Sequence, residues 1–300
     1  MKVLYFTDLH GSRWKRERIV ELAIAQKVNV VIDGGDILPG DSTTFDQEYF
    51  LRSQFTEFCR AMANNNVYYL TMLANDDPRI FDAQFNQILS ENRRWLFNLA
   101  QARVFIDGYE FIGMNWVVDH PFRMKDRCRL DCAGAPIGGQ LGVPYVFEGM
   151  AKKRLIYDWS SYIGGLPTIM DELNGLPEPE DVNKTIYVIH MPPFGLKLGT
   201  VGRKKKVRIK QRTRIKKMLV DLGSQSVRTF IEKKQPWLTL HGHIHQSPTL
   251  TGVWKVQLGN TLCIQPGQKG SWSPDGDKLT YVLIDLETRA AERFEESPSN

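Results

Sequence analysis

Five apolar segments of the chain each end in side chains of the kinds that bind metal ions. The segments are short and rich in β-branched or aromatic residues, which predicts β-strands at 2–6, 28–33, 67–73, 185–190 and 237–241. The polar side chains at their ends are Asp8 and His10, Asp36, Asn75 to Asp77, His190, and the histidines of "HGHIH" (241–245). In an open α/β sheet such strand ends lie along one edge, where ligands bind. The pattern therefore predicts an α/β fold that gathers these side chains into one site.

Segments with helical spacing of apolar residues alternate with the first strands, over about 14–26, 46–65 and 78–100. Alternation of strand and helix predicts that part of the sheet is parallel. The C-terminal third contains "GVWKVQLG", "NTLCIQPG" and "LTYVLIDLE", which predict antiparallel strands. We expect a single domain over 1–300 with a lid-like insertion at about 117–165, rich in Gly, Pro and aromatic residues, and a basic insertion at about 200–220.

Composition favours a cytoplasmic protein without a membrane partner. The chain has 300 residues, and its 42% hydrophobic content is enough for a substantial core. No segment has the roughly 18 to 20 continuous apolar residues of a membrane span, and the N-terminus enters a strand without the pattern of a signal peptide. The four cysteines do not form a disulfide framework, and the Cys128/Cys132 spacing lacks a second pair of zinc ligands, so we expect reduced thiols.

The predicted donor set points to metal chemistry. Five of the six histidines follow predicted strands: His10, His190, His241, His243 and His245. Imidazole and oxygen donors without thiolates suit manganese, iron or zinc, and a pair of such ions can clamp phosphate oxygens. A single Asp-x-His or a single histidine is more often a cap or a core residue, so the prediction depends on the combination.

That combination resembles a known family. The motifs "DLH" (8–10), "GGD" (34–36), "ANDD" (74–77), "IHMPPF" (189–194) and "GHIH" (242–245) are similar to those of the calcineurin-like metallophosphoesterases, over about the first 245 residues. The resemblance implies a layered β-sheet sandwich flanked by helices, with two divalent metal ions. Manganese is the first choice, with iron, zinc or magnesium as alternatives.

The resemblance also implies a role for each position. One ion would be bound by Asp8, His10 and His245, the other by Asn75, His190 and His243, with Asp36 bridging them. A hydroxide held between the ions would attack phosphorus in line. The residues implied in catalysis are Asp36, Asn75, Asp76 and His243.

The third motif departs from the family pattern. Most members have G-N-H-[DE], whose histidine donates a proton to the leaving oxygen, whereas this chain has Asp76 at that position. A carboxylate beside two cations favours its ionised form and is a poor proton donor. We therefore expect Asp76 to orient Asn75 or a metal-bound water, and Asp77 to cap the following helix, with Pro78 in its first turn. Phosphodiesters are expected as substrates ahead of monoesters.

Two further histidines need an interpretation. His120, in "DHPF", is interpreted as a solvated loop residue, with proton donation as the alternative. His241 is interpreted as a partner of the ligands rather than a ligand. The glycine-rich "GAPIGGQLG" (134–142) lacks the Lys-Ser or Lys-Thr of a phosphate-binding loop and is interpreted as part of the lid.

The segment "RKKKVRIKQRTRIKK" (203–217) carries ten basic residues, more than the whole net charge of +5, so the rest of the chain is acidic overall. From Lys206 to Lys216 every even-numbered residue is Lys or Arg, which predicts an extended strand or hairpin arm with one cationic face. Such an arm is suited to nucleic acid, although a solvated surface insertion explains it equally well.

Two classes of function follow from these residues. The first is a metal-dependent phosphoesterase acting on a phosphorylated small molecule or nucleotide, with a nuclease that uses the basic insertion as a variant. The second is a catalytically weak binding or scaffold protein on the same fold. All seven predicted ligand positions keep residues that can bind metal, which favours the enzyme. Oligomeric state does not follow from the sequence.

Overall fold

The computed structural model describes residues 1–40, 42–209, 212–270 and 276–298, with the backbone alone inside 204–217. Two six-stranded sheets form its centre. From edge to edge, the first contains β18 (Ala290–Glu296), β17 (Leu279–Asp285), β1 (Lys2–Phe6), β2 (Val30–Asp33), β3 (Tyr68–Thr71) and β4 (Leu96–Asn98). The second contains β15 (Lys255–Leu258), β16 (Thr261–Ile264), β14 (Leu238–Leu240), β11 (Thr185–Ile189), β6 (Tyr109–Met114) and β5 (Arg103–Ile106).

Both sheets mix parallel and antiparallel strands, with antiparallel pairing at one edge of the first sheet and at both edges of the second. Strands β1 to β4 are parallel, as are β6, β11, β14 and β16. The pairs β17–β18, β15–β16 and β5–β6 are antiparallel. The predicted mixture of parallel and antiparallel strands is confirmed. Parallel strands of one sheet end at the same rim, so the loops after β1, β2 and β3 lie together, as do those after β11 and β14. The packing of the two sheets against each other brings these two sets of loops together.

The two sheets pack face to face because their central strands are apolar on both sides. In β1, Val3 and Tyr5 belong to the core between the sheets, whereas Leu4 and Phe6 belong to the core under the helices of the first sheet. This period of two is the consequence of side chains alternating between the faces of a strand. The fold is therefore the predicted layered α/β sandwich flanked by helices.

Helices cover the outer faces of both sheets. They are α1 (Arg13–Ala25), α2 (Thr44–Phe50), α3 (Thr56–Asn64), α4 (Asp82–Ser90), α5 (Trp159–Gly164), α6 (Ile169–Asn174), α7 (Gln225–Lys234) and α8 (Ser247–Thr251). A π-helical turn at Leu51–Phe55 joins α2 to α3, and 3-10 turns occupy Arg79–Phe81 and Val182–Lys184. The predicted helix over 78–100 was wrong beyond Ser90, because Leu96 and Phe97 pair with β3 as a strand instead.

Both predicted insertions contain regular structure. Within 117–165, β7 (Val117–Val118) pairs with β8 (Cys128–Arg129), and β9 (Tyr145–Gly149) pairs with β10 (Lys152–Leu155). At about 200–220, β12 (Thr200–Ile209) and β13 (Arg212–Asp221) form an antiparallel hairpin. A hairpin arm was one of the two arrangements predicted for this segment. The division into one domain with a lid stays a prediction.

Two simpler expectations concern the cysteines and the membrane. All four cysteines are free, three of them buried and Cys132 exposed. Within the described part of the chain, no helix combines the length and apolar character required to cross a membrane.

Candidate metal centre

The loops that follow the central strands hold several predicted ligands in an unusual backbone conformation. The φ angles of Asp8, His10, Asp36 and His243 are 58°, 44°, 56° and 66°. Non-glycine residues rarely adopt this left-handed region, and such strain persists only where the surroundings fix the backbone. Four of the seven predicted ligands share this feature, which is typical of a functional site.

The predicted ligands come together in two groups that share one residue. Donor atoms of Asp8, His10, Asp36 and His245 all lie within 4.8 Å of one another, as do those of Asp36, His190 and His243. The seventh residue, Asn75, joins the second group because its Oδ1 lies 3.0 Å from His190 Nε2. Asp36 therefore occupies the position of a bridge, in agreement with the predicted division, although ligation itself stays a prediction.

Unpaired polar atoms provide a test of whether the site suits metal ions. Asp8 Oδ2 and His243 Nε2 are buried and have no hydrogen-bond partner among the described residues. His10 Nε2 and His245 Nε2 lie only 3.1 Å apart, and His190 Nε2 lies 3.3 Å from Asp36 Oδ2. Buried polar atoms left without partners are unfavourable, and convergent nitrogen and carboxylate donors are a normal environment for a divalent cation. The residues present fit the group that the resemblance implies.

In the metal-free site, burial and neighbouring charges shift the pKa values of the histidines in opposite directions. Burial lowers the pKa of His10 to about 4, with the neighbouring His245 adding to the effect. Burial would also lower the pKa of His190, but the carboxylates of Asp36 and Asp8 outweigh it and raise that pKa to about 9. The same pairing outweighs the effect of burial on Asp36, so its pKa is held well below the ordinary value. A metal ion would replace the proton on His190, so metal binding should release protons.

Backbone contacts fix the orientation of the ligand loops. His190 Nδ1 lies 2.8 Å from the Gly34 carbonyl oxygen, and the His243 amide donates to Asp8 Oδ1 at 3.1 Å. His241 lies outside both groups and is fully buried. Its Nδ1 lies 2.9 Å from the Ile189 carbonyl and 3.1 Å from that of Met191, on both sides of His190. His241 thus positions the backbone of a ligand, which agrees with its interpretation as a partner.

Asp76 contacts Asn75 as predicted. The Asn75 side-chain amide donates to Asp76 Oδ1 at 2.8 Å, and the Asp76 backbone amide donates to Asp36 Oδ1 at 2.8 Å. Burial, followed by the charge of Asp36, raises the pKa of Asp76 to about 7 in the metal-free protein. Bound cations would favour the ionised carboxylate again. The third motif therefore holds Asn75 in place without an imidazole.

The predicted helix-capping role of Asp77 was wrong. Its buried carboxylate accepts hydrogen bonds from three backbone amides, those of Ala74 at 2.7 Å, Leu38 at 2.8 Å and Ile37 at 3.1 Å. Among the described residues, no side chain caps the helical turn that follows. Asp77 instead fastens the third-motif loop to the loop that carries Asp36. The sequence could not distinguish the two roles, since an acid before a proline suits both.

We expect Asp77→Asn to lower the free energy of unfolding by about 2 kcal/mol, because the amide group leaves one of three buried backbone donors without an acceptor. Chemical denaturation measures this change. The control is Asp107→Asn at an exposed turn, which should stay within about 0.5 kcal/mol of the unaltered protein. Equal unfolding free energies for the two variants would contradict the fastening role.

The interpretation of His120 as a solvated residue was wrong as well. Its ring stacks on that of His243, with centroids 5.4 Å apart and planes inclined by 15°. Phe122 packs edge-on against the same two rings, at 6.4 and 6.2 Å. Sequence spacing carried no signal for this contact, because it joins two loops that are distant in the chain.

A cavity of about 490 Å³ opens beside the ligands. Four site residues line it, together with the first turn of α1 and the segment after Asp36: Asp8, His10, Asp76, His245, Ser12, Lys15, Pro39, Gly40 and Ser42. Lys15 is buried and paired with Asp277 at 2.8 Å. The cavity has room for a substituent larger than a phosphate group.

Comparison with known proteins agrees with the geometry of this site. A family model described as calcineurin-like phosphoesterase matches residues 1–247, and the chain belongs to that family. This family depends on dinuclear metal centres, and the Asp and His groups described above are able to hold metal. The resemblance inferred from the motifs is thereby confirmed.

Solved structures share the architecture at low sequence identity. The TT1561 protein of Thermus thermophilus is 16% identical, with 98% of this chain and 97% of that chain covered and a TM-score of 0.53. An archaeal phosphodiesterase is 13% identical, with 98% and 99% covered and a TM-score of 0.47. A dimetal phosphatase of Danio rerio is 9% identical, with 100% and 99% covered and a TM-score of 0.47. The likeness to TT1561 shows the fold alone, and no curated protein sequence matches the chain significantly.

Proposed function

We propose that the protein is a metal-dependent phosphoesterase that hydrolyses phosphodiesters in preference to monoesters. The observation that carries this proposal is the position of Asp36, whose carboxylate belongs to both groups of converging donors. Two bound divalent cations would acidify a water molecule and neutralise charge on the phosphoryl oxygens. Manganese is our first choice, because the donors are imidazoles and oxygens without a thiolate.

The chain's own residues support a diester as substrate. Most family members have a histidine at the position of Asp76 in this chain. The third motif therefore supplies no imidazole to a leaving oxygen. An aryl leaving group needs little proton assistance and an alkyl leaving group needs more, so the site suits esters with good leaving groups. The cavity beside His10 and Asp76 gives space for one ester substituent.

An assay panel of aryl monoesters and diesters with manganese, zinc and magnesium tests this function, beside analysis of bound metal. We expect metal-dependent hydrolysis that is faster for the diesters. A protein that binds metal at stoichiometric levels and hydrolyses no phosphate ester would support the scaffold alternative instead.

The hairpin formed by β12 and β13 favours nucleic acid as a second candidate substrate. Its ten residues per strand extend over about 33 Å, and a two-stranded ribbon fits the major groove of duplex DNA. The register places Lys204 opposite Lys217 and Lys205 opposite Lys216. Like charges directly opposite one another are destabilising, and a bound polyanion would relieve that repulsion.

The same register corrects the prediction of a single cationic face. Even-numbered positions of β12 lie opposite odd-numbered positions of β13, as in the pair Lys206 and Ile215. Opposite positions in an antiparallel pair share a face, so the even-numbered basic positions are divided between the two faces. Side chains within 204–217 lie outside the described residues, and the division rests on the backbone register.

The base of the hairpin is anchored beside the candidate centre. The Thr200 amide donates to Ser247 Oγ at 2.9 Å, close after the "GHIH" motif. At the other strand, the Asp221 carboxylate accepts from the amides of Gly195 at 2.9 Å and Gly223 at 2.8 Å. These contacts connect the hairpin to the loops that follow His190 and His245, so a bound strand would lie near the metal ligands.

We expect substitution of Lys206, Arg208, Lys210 and Arg212 by Gln to flatten the salt dependence of DNA binding, by roughly one unit of slope per lost phosphate contact. The measurement is a fluorescence-anisotropy titration of a DNA duplex at several salt concentrations. Substitution of the exposed Lys27, Arg60, Arg93 and Lys184 gives a control with the same change in net charge. Absence of binding at low salt in the unaltered protein would remove the nucleic-acid candidate.

A further inference from the structure

His120 stands at the wall of the candidate centre although no motif includes it. It follows β7, and its ring lies nearly parallel to that of His243 at 5.4 Å. Its nitrogens fall outside the two groups of converging donors. The ring is therefore next to the ligands without belonging to their set.

A buried ion pair fixes the backbone at His120. Lys125 is almost completely buried, and its Nζ donates to Asp119 Oδ1 at 2.6 Å and to the His120 carbonyl oxygen. The second oxygen of Asp119 accepts from Trp159 Nε1 and Gln140 Nε2, both at 3.0 Å. A buried charge pair with this many partners holds one arrangement, because loss of any partner leaves a charge unpaired. The ion pair fixes the backbone, and Phe122 and His243 pack against the ring, so the imidazole is preorganised, as groups that stabilise a reacting substrate usually are.

One atom of this fixed ring has no assigned contact. His120 Nε2 is buried and lacks a hydrogen-bond partner among the described residues, as does Nε2 of the stacked His243. The proposed metal ion would be the partner of His243 Nε2. The Leu222 carbonyl lies near the His120 ring, but no hydrogen bond to Nε2 forms among the described residues, and a buried polar atom without a partner is unfavourable.

We propose that His120 contacts the substrate, with Nε2–H donating a hydrogen bond to a non-bridging oxygen of the bound phosphate ester. This inference rests on the proposed phosphoesterase function. A phosphate oxygen only accepts, so bound phosphate selects the ring form that carries its proton on Nε2. The neutral imidazole is sufficient for this role. His120 would thus give the phosphate a neutral hydrogen-bond donor that belongs to none of the metal-binding motifs.

His120→Phe and His120→Gln test the proposal as a pair. Phenylalanine keeps a ring for stacking on His243 but has no donor, whereas glutamine keeps an N–H near the position of Nε2. Three properties are measured on the metal-loaded full chain: bound metal, calorimetric affinity for inorganic phosphate, and kcat/KM for an aryl diester. We expect unchanged metal content in both variants, and in His120→Phe about tenfold weaker phosphate binding and roughly hundredfold lower kcat/KM. His120→Gln should recover most of both losses.

The phosphate measurement separates this inference from the proposed function. If the unaltered protein binds metal and phosphate but hydrolyses no ester, the proposed function fails, and the weaker phosphate binding of His120→Phe still supports the contact. Unchanged phosphate affinity in His120→Phe would overturn the inference. Loss of metal in both variants would also overturn it, since His120 would then act on the metal rather than on the substrate.

Discussion

Asp36→Asn is expected to lower metal content and hydrolysis more than substitution of a residue that serves one ion. Asp36 is common to both groups of donors, and its two oxygens face different partners. Oδ1 accepts from the Asp76 amide at 2.8 Å, and Oδ2 lies 3.3 Å from His190 Nε2. The amide oxygen of asparagine can keep the first contact, so the loop should stay folded. The charge and the second oxygen are lost, so neither ion keeps its shared carboxylate.

The matched comparison is Asn75→Ala, which removes a donor assigned to one ion. We expect the Asp36→Asn protein to retain less metal than the Asn75→Ala protein, and its hydrolysis rate to fall by about a thousandfold, the upper range for loss of one preorganised electrostatic group. Bound metal is measured by elemental analysis after gel filtration, with the free energy of unfolding as a check on the fold. Unaltered metal content with full turnover in Asp36→Asn would contradict the dinuclear assignment.

Asp76→His is expected to raise turnover of alkyl esters more than that of aryl esters. Without an imidazole at position 76, a leaving oxygen departs with little proton assistance, so rates should fall steeply as the leaving-group pKa rises. Asp76 lines the cavity beside His10, where one ester substituent would lie. A histidine that reaches the leaving oxygen from there should add up to roughly a hundredfold for alkyl esters, the low end of general-acid catalysis.

Asp76→Asn is the control for that substitution. Its amide oxygen can still accept from the Asn75 side chain, a contact of 2.8 Å in the unaltered protein, but it gives the leaving group no acid. Rates are compared for a series of leaving groups at saturating metal. A shallow dependence on leaving-group pKa in the unaltered protein would show that another group already donates the proton, with His120 the first residue to examine.

The candidate ligands were predictable because each follows a strand directly. Loops at one rim of a parallel sheet lie close together, so Asp8 and Asp36 were expected to meet once β1 and β2 paired. His190 follows β11 of the second sheet, and it reaches them through the packing of the two sheets, which strand pairing alone does not predict. The structure shows these side chains together. Short continuous apolar runs also identified the central strands, because each of these strands is buried on both faces.

Other features depended on contacts that no local pattern records. His120 lies against His243 in the segment at 117–165, whose backbone is held by the buried pair of Lys125 and Asp119. Asp77 was wrongly predicted to cap a helix, because its carboxylate accepts hydrogen bonds from the backbone amides of Ile37 and Leu38 in another loop. The strand β4 was taken for a helix end because its pairing with β3 is decided by tertiary packing rather than by propensity.

A metal titration of the metal-free full chain tests the dinuclear phosphodiesterase most directly. Manganese is added in fractions of an equivalent, and bound ions and hydrolysis of an aryl diester are measured on the same samples. We expect two ions to bind per chain and hydrolysis to appear with the second. Saturation at a single ion, or hydrolysis that does not depend on added metal, would contradict this expectation.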